Sequence, residues 1–272
     1  MWASVLLFSV LGSLPNQASS LQLNNVRVTT GPFGSTRADG TPDMLPGDVF
    51  YVNYDIENLA MDATTGQVQY SMTFELTNAA GKSIFKDGPR DGKATLSLGG
   101  GRMPAFAHSE IGKDTEPGDY TLKISVTDLG NKAKPTQSIE KKFKVKKPEF
   151  GIVRPHLTFV GNKEAFLVAP IGAVGQTLVA NCVLANVGKD PTTKQPNVEV
   201  AIHILDGAGK ETIKPAAQTF DKGVPADQDW IDISFPVDLN RPGKFTIEVE
   251  ATDKVSKKKD KVSFPITVYE LK

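Results

Sequence analysis

The sequence predicts an all-β protein built as two tandem β-sandwich domains behind an apolar N-terminal leader. Three observations carry this. "PGDYTLKISVTD" (117–128) returns as "PGKFTIEVEATD" (242–253), with the apolar letters kept and the polar letters changed. Residues 47–82 also lie without a gap on residues 175–210, pairing Asn53 with Asn181, Asn58 with Asn186, Asp62 with Asp190 and Gly81 with Gly209. Finally, apolar residues recur at every second position in short runs punctuated by Pro, Gly, Asn and Asp. That is the period of strands buried on one face.

The leader comes first. "WASVLLFSVLGSL" (2–14) is too short to span a bilayer. The Ala18-Ser19-Ser20 that follows has the small residues a signal peptidase needs, so a signal peptide is expected over 1–20. No Lys or Arg precedes the apolar run, a departure from the usual leader. No second apolar run of about twenty residues occurs, and no transmembrane segment is expected in the mature chain. The single cysteine, Cys182, excludes an intramolecular disulfide and leaves no cysteine for a lipid anchor at the mature N-terminus. The expected location is secreted, periplasmic or in the cell envelope.

Strands are expected in the first copy near 21–30, 49–57, 68–77, 94–98, 105–109, 120–127 and 138–146. In the second they fall near 152–159, 177–186, 198–205, 216–220, 230–237, 245–252 and 259–269. Tyr120, Leu122, Ile124 and Val126 point one way, as do Phe245, Ile247, Val249 and Ala251 in the repeat. Asp128 and Asp253 end their strands where a carboxylate can accept from the backbone N–H groups of the next turn. The copies are offset by 128 residues early and 125 late, so three residues are lost between them. About seven strands in about 120 residues is the count of an immunoglobulin-like sandwich. "KKPEFG" (146–151) joins the copies; it contains proline and no flexible Gly/Ser run, so limited freedom is expected. The domains are placed at 21–147 and 148–272.

The paired layout, with "PGDYTLKISVTD…FKV", "PGKFTIEVEATD…ITV" and "TTKQPNVEVAIHILDGAGK", resembles tandem bacterial extracellular immunoglobulin-like or fibronectin-III-like modules of planctomycete-type secreted proteins. The resemblance covers nearly all of the mature chain. It implies the sandwich architecture and carries no site residue. The disulfide and core tryptophan of antibody domains are absent.

Chemistry is sparse. Lys plus Arg and Asp plus Glu both number 31, so net charge gives no reason to expect nucleic acid. Cys182 sits in "LVANCVLANV" on the inward face, where a thiol is a packing residue. His108, His156 and His203 have no ligand spacing, and neither a metal nor a cofactor is expected. His108 matches Ile233 of the second copy, which places it inward or at the rim. "SLGGGRMP" (97–104) reads as a loop crossing between sheets. Arg102 within it is a candidate for anion or ligand contact, although no helix follows as in phosphate nests. "DATTG" and "DPTTK" read as Asp-initiated turns rather than calcium loops. "KKFKVKK" (141–147) reads as a lysine-lined edge strand that blocks pairing with other chains. Trp230, the only tryptophan after the leader, is expected outside the core and is the second candidate ligand residue. One such ring is not a sugar-binding platform.

No carboxylate pair, triad or metal set supports catalysis. Two readings follow. One is an exported non-enzymatic contact or spacer module with a protein or cell-surface polysaccharide partner. The other is a carbohydrate- or anionic-polymer-binding accessory protein.

Overall fold

The structure, a computed structural model, describes residues 20–37, 40–160 and 165–271. The leader expected over 1–20 lies outside them save for Ser20. Among the described residues there is no helix. The strands run β1 (Gln22–Thr29), β2 (Asp43–Met44), β3 (Val49–Glu57), β4 (Gln67–Asn78), β5 (Ser83–Thr95), β6 (Arg102–Glu110), β7 (Gly118–Asp128) and β8 (Thr136–Val145). They continue as β9 (Gly151–Val160), β10 (Ala165–Leu167), β11 (Ile171–Ala173), β12 (Thr177–Ala185), β13 (Val198–Asp206), β14 (Ala216–Phe220), β15 (Ile231–Asp238), β16 (Gly243–Asp253) and β17 (Lys258–Tyr269).

Each half faces a small sheet onto a five-stranded one. The N-terminal orders are β1-β3-β6 and β2-β8-β7-β4-β5; the C-terminal orders are β10-β9-β12-β15 and β11-β17-β16-β13-β14. Apart from β10, the two topologies are the same. In both, the short strand β2 or β11 runs parallel to the last strand, and the other pairings are antiparallel. The opening segment therefore starts in one sheet and crosses to the other, as in immunoglobulin-like sandwiches.

The inward faces meet as the alternation predicts. Phe50, Val52, Tyr54 and Ile56 of β3 pack with Leu122, Ile124 and Val126 of β7 in one cluster. Phe143 stacks on Phe50 at 4.4 Å between ring centroids and on Tyr120 at 5.5 Å. Leu178, Ala180, Cys182 and Leu184 of β12 pack with Ile247, Val249 and Ala251 of β16 in a second cluster. Matched turns close both halves. Asp128 and Asp253 are fully buried. Asp128 accepts from the amides of Ala60, Gly130 and Asn131, and Asp253 from those of Gly188, Val255 and Ser256. Each carboxylate thus ties the turn after its own strand to the loop that leaves β3 or β12.

Three sequence expectations need correction. The strand expected at 94–98 runs instead through Ser83–Thr95. It is an edge strand paired only with β4 and wet along most of its length, so no apolar alternation marks it. The lysine-rich strand β8 is not a fully open edge, because β2 pairs with it at Lys144 and Val145. His108 corresponds to Pro236, not Ile233: His108 pairs with Tyr51, and Pro236 pairs with Val179, the counterpart of Tyr51. The three-residue difference therefore falls after β6 and β15, in the segment around Lys113.

The joint between the halves is tightly filled. A Cβ on Gly151 would press on the Leu45 side chain, which would have to move to admit it. The Ile152 amide donates to Asp260 Oδ2 at 2.7 Å. Glu149 takes Lys146 from the first copy and Lys258 from the second. These two ammonium groups, Lys146 first, hold its carboxyl down at about 2.

Candidate functional site

Two surfaces gather polar and aromatic groups. The first is a cleft of about 520 Å³ between the halves, lined by Gly47, Glu110, Lys113, Arg154, Asp229 and Trp230 among others. Asp48 fixes its floor. This buried carboxylate accepts from the Val49 and Arg154 amides at 2.8 Å each and from the Arg37 guanidinium at 3.0 Å. Arg154 sits at a bulge in β9 with φ of 52°, and its Nε donates to Gly47 O at 2.6 Å. Lys113 crosses from the other side. Its Nζ lies 2.8 Å from Asp229 Oδ1 and 3.9 Å from the centroid of the Trp230 ring.

Trp230 lies immediately before β15 and is 38% exposed, outside the core as expected. Arg102 opens β6 and pairs with Asp55 at 2.8 Å. The structure does not bring the two together. Lys113, which touches Trp230, follows the far end of β6, about 27 Å of strand from Arg102. They are instead equivalents: Arg102 pairs with Glu57, whose counterpart Ala185 adjoins the Leu184–Ile231 pair beside Trp230. Sequence reasoning picked the same position twice without the register that reveals it.

The second surface was missed. On the outer face of β1-β3-β6, Tyr51 lies beside His108 at 5.5 Å and Phe106 at 6.4 Å between ring centroids. Phe33, from the loop after β1, meets Phe106 edge-on at 6.4 Å. Phe33 is 55% and Phe106 41% exposed, so Trp230 is not the one aromatic ring outside the core. The only available signal was an alternation that places Tyr51, Phe106 and His108 opposite the core-facing set. Burial, then the Glu110 carboxylate, raise the Tyr51 phenol above its usual range.

The remaining groups are structural. Cys182 is 2% exposed and burial pushes its thiol up to about 12, so no thiolate is available at neutral pH. His203 pairs with Glu211 at 2.8 Å, and His156 Nδ1 faces Arg154 O. Among the described residues no three His, Cys, Asp or Glu side chains gather as a metal site requires. Asp62 and Asp190 accept from the amides two and three residues ahead, which lower both carboxyls and account for the shared Asp-x-Thr-Thr. The glycine loop crosses from β5 to β6, with Gly99 and Gly100 in the left-handed region. Among the described residues no helix is long and apolar enough to cross a membrane.

Fold and surfaces together define a tandem immunoglobulin-like β-sandwich protein with an aromatic face and a junction cleft. No family model matches the chain, and none of the curated proteins does. Among solved structures it is similar to the Streptococcus agalactiae AgI/II polypeptide BspA C-terminal domain, at 9% identity and a TM-score of 0.30, over 90% of this chain and 100% of that one. It is also similar to red sea bream transglutaminase, at 11% identity and a TM-score of 0.29, over 93% of this chain and 32% of that one. Likenesses this distant bring neither a site nor an activity to the chain.

Proposed function

We propose that this chain is an exported, non-enzymatic interaction module of the cell envelope. Its two immunoglobulin-like domains, 21–147 and 148–272, are held at a fixed angle and present their binding surfaces together. The observation that carries this reading is the joint itself. A buried carboxylate of the first copy, Asp48, holds a backbone amide of the second at Arg154, and Lys113 reaches across to Asp229 and Trp230. A flexible spacer needs no such contacts. Cys182 supports the non-enzymatic reading, because its burial and raised pKa remove the chain's one thiol from chemistry. In this reading Trp230 is a ligand residue of the cleft, and Arg102 closes the far end of the aromatic face.

The test is a binding and turnover screen of the exported protein against isolated envelope polysaccharides and envelope proteins, read by Trp230 emission. A saturable emission change without chemical conversion is expected. Turnover that disappears in a folded Cys182→Ala variant would refute the reading. N-terminal sequencing of the exported protein is expected to begin near Leu21.

A further inference from the structure

We propose that the outer face of the β1-β3-β6 sheet is a stacking platform for a neutral polysaccharide. Phe33, Tyr51, Phe106 and His108 are its contact surface, and it opens toward the junction cleft at Glu110. The proposal rests on the interaction-module reading and names the ligand class for it.

The two copies provide an internal control. In the second copy Asn181 is fully satisfied. Its Nδ2 donates to Thr158 Oγ1 at 2.9 Å, and its Oδ1 accepts from Ser234 Oγ at 2.7 Å. The first-copy counterpart is Asn53, paired across the strands with Phe106 just as Asn181 is paired with Ser234. Phenylalanine has no hydroxyl to give. Asn53 is 7% exposed, and no donor among the described residues reaches its Oδ1. Its Nδ2 keeps only a 3.5 Å bond to Gly31 O. A buried acceptor left without a donor costs stability.

The same substitution leaves a ring wet. Around it, Val179 and Pro236 of the second copy are replaced by Tyr51 and His108, and Phe33 is added from the loop. On the outer face of the five-stranded sheet of the first copy, β7 and β8 meet through paired hydroxyls. Ser125 meets Ser138, and Thr127 meets Thr136, at 2.8 Å each. A buried acceptor without a donor and a ring left wet thus meet on this face, a local conflict of the kind kept at binding sites.

The chemistry of the face selects the occupant. Aromatic rings offer flat apolar surfaces that match the C–H faces of pyranose rings. The rings are flanked by planar hydrogen-bonding groups suited to vicinal hydroxyls: Arg27, the Asp55–Arg102 pair, and Asn24 bonded to Glu57. Charges of both signs share the face, and Glu110 has Arg154 3.9 Å away. A face with balanced charge has no attraction for a polyanion, which would need a basic track. A stable protein interface takes about 800 Å² from each side with a well-packed core. Four partly covered rings, with Pro104 beside them, fall short of that.

The experiment is native affinity electrophoresis of the exported protein in gels carrying soluble cellulose, xylan, mannan or chitin oligomers. Alginate and heparin serve as polyanionic comparators, each at low and high salt. At least one neutral polysaccharide is expected to retard the protein, with no loss at high salt. Phe106→Ser restores the hydroxyl that Ser234 gives Asn181. It is expected to weaken retardation roughly tenfold, about 1.4 kcal/mol, while the unfolding midpoint stays the same or rises. Phe33→Ala, on an exposed loop, gives a second variant that weakens binding without the Asn53 effect. Absence of retardation by all four neutral polysaccharides would overturn the platform. So would retardation by polyanions alone that salt abolishes, or unchanged binding in both variants. Release of reducing ends from a bound polysaccharide would instead overturn the non-enzymatic reading and leave the platform standing.

Discussion

Lys113 Nζ lies 2.8 Å from Asp229 Oδ1 and 3.9 Å above the Trp230 ring, so one ammonium joins the two sandwiches by an ion pair and a cation–π contact. Lys113 belongs to the segment that is three residues longer in the first copy than in the second. The element that differs between the copies is the one that spans them.

That contact is exposed, with side-chain accessibilities of 60% for Lys113 and 48% for Asp229. An exposed ion pair contributes about 0–1 kcal/mol, and an exposed cation–π contact about 0.5–1 kcal/mol. Lys113→Ala is therefore expected to change Trp230 emission clearly while lowering the unfolding midpoint by no more than about 8 °C. Emission spectra and a thermal melt of the same sample check both halves of this expectation.

Asp48 is a different case, because it is buried and accepts three hydrogen bonds. Asp48→Ala leaves the Arg154 amide and the Arg37 guanidinium without their acceptor. The expected cost is about 2–3 kcal/mol. The joint should loosen, seen as faster protease cleavage within 146–151 and a larger radius of gyration in solution scattering. Asp48→Asn keeps one acceptor oxygen and is expected to fall between Ala and the native residue.

Glu149 makes the joint sensitive to acid. Lys146 and then Lys258 hold its carboxyl down at about 2, below the ordinary value of about 4.3. A group whose pKa is lowered in the folded state contributes stability above its unfolded pKa and loses it as pH falls through the folded one. Protease cleavage at 146–151 is thus expected to accelerate between about pH 4 and pH 2. Glu149→Gln should flatten that dependence. An identical acid profile in the Gln variant would show that the pair plays no part.

The two cores give matched stability tests. Leu122 is 1% exposed and Ile247 fully buried, at equivalent places in β7 and β16. Truncating either to Ala is expected to cost about 2–5 kcal/mol, and Cys182→Ala less, because less volume is removed. The native Cys182 thiol should resist thiol reagents that modify the denatured chain completely. Its raised pKa also sets a sign. Its contribution is whole below the unfolded thiol value of about 8.5 and is lost as pH rises toward about 12. Denaturant melts across alkaline pH, with Cys182→Ala as control, measure that difference.

Legibility followed how local the physics was. Strands with one buried face, such as β3 and β12, were readable to within a residue because alternation is written along the chain. Asp62, Asp190, Asp128 and Asp253 were readable because a carboxylate bonds amides only two or three residues ahead. β5 was not, since an edge strand wet along most of its length needs no apolar period. The aromatic face was not either. Phe33, Tyr51 and Phe106 come from a loop and two strands, and each alone looks like an ordinary ring in a β protein.

By itself, then, the sequence determined that this protein is all-β, that it is one sandwich written twice, and which residues face each core. Those properties depend on side-chain period and on turns that close within a few residues. Only the tertiary structure decided that Arg102 and Trp230 are one position in two copies, and that Lys113 bridges the halves. It alone decided that Phe106 stands where Ser234 satisfies an asparagine. Those relations depend on strand register and on the angle of the joint, and both are fixed by contacts between residues far apart in the chain.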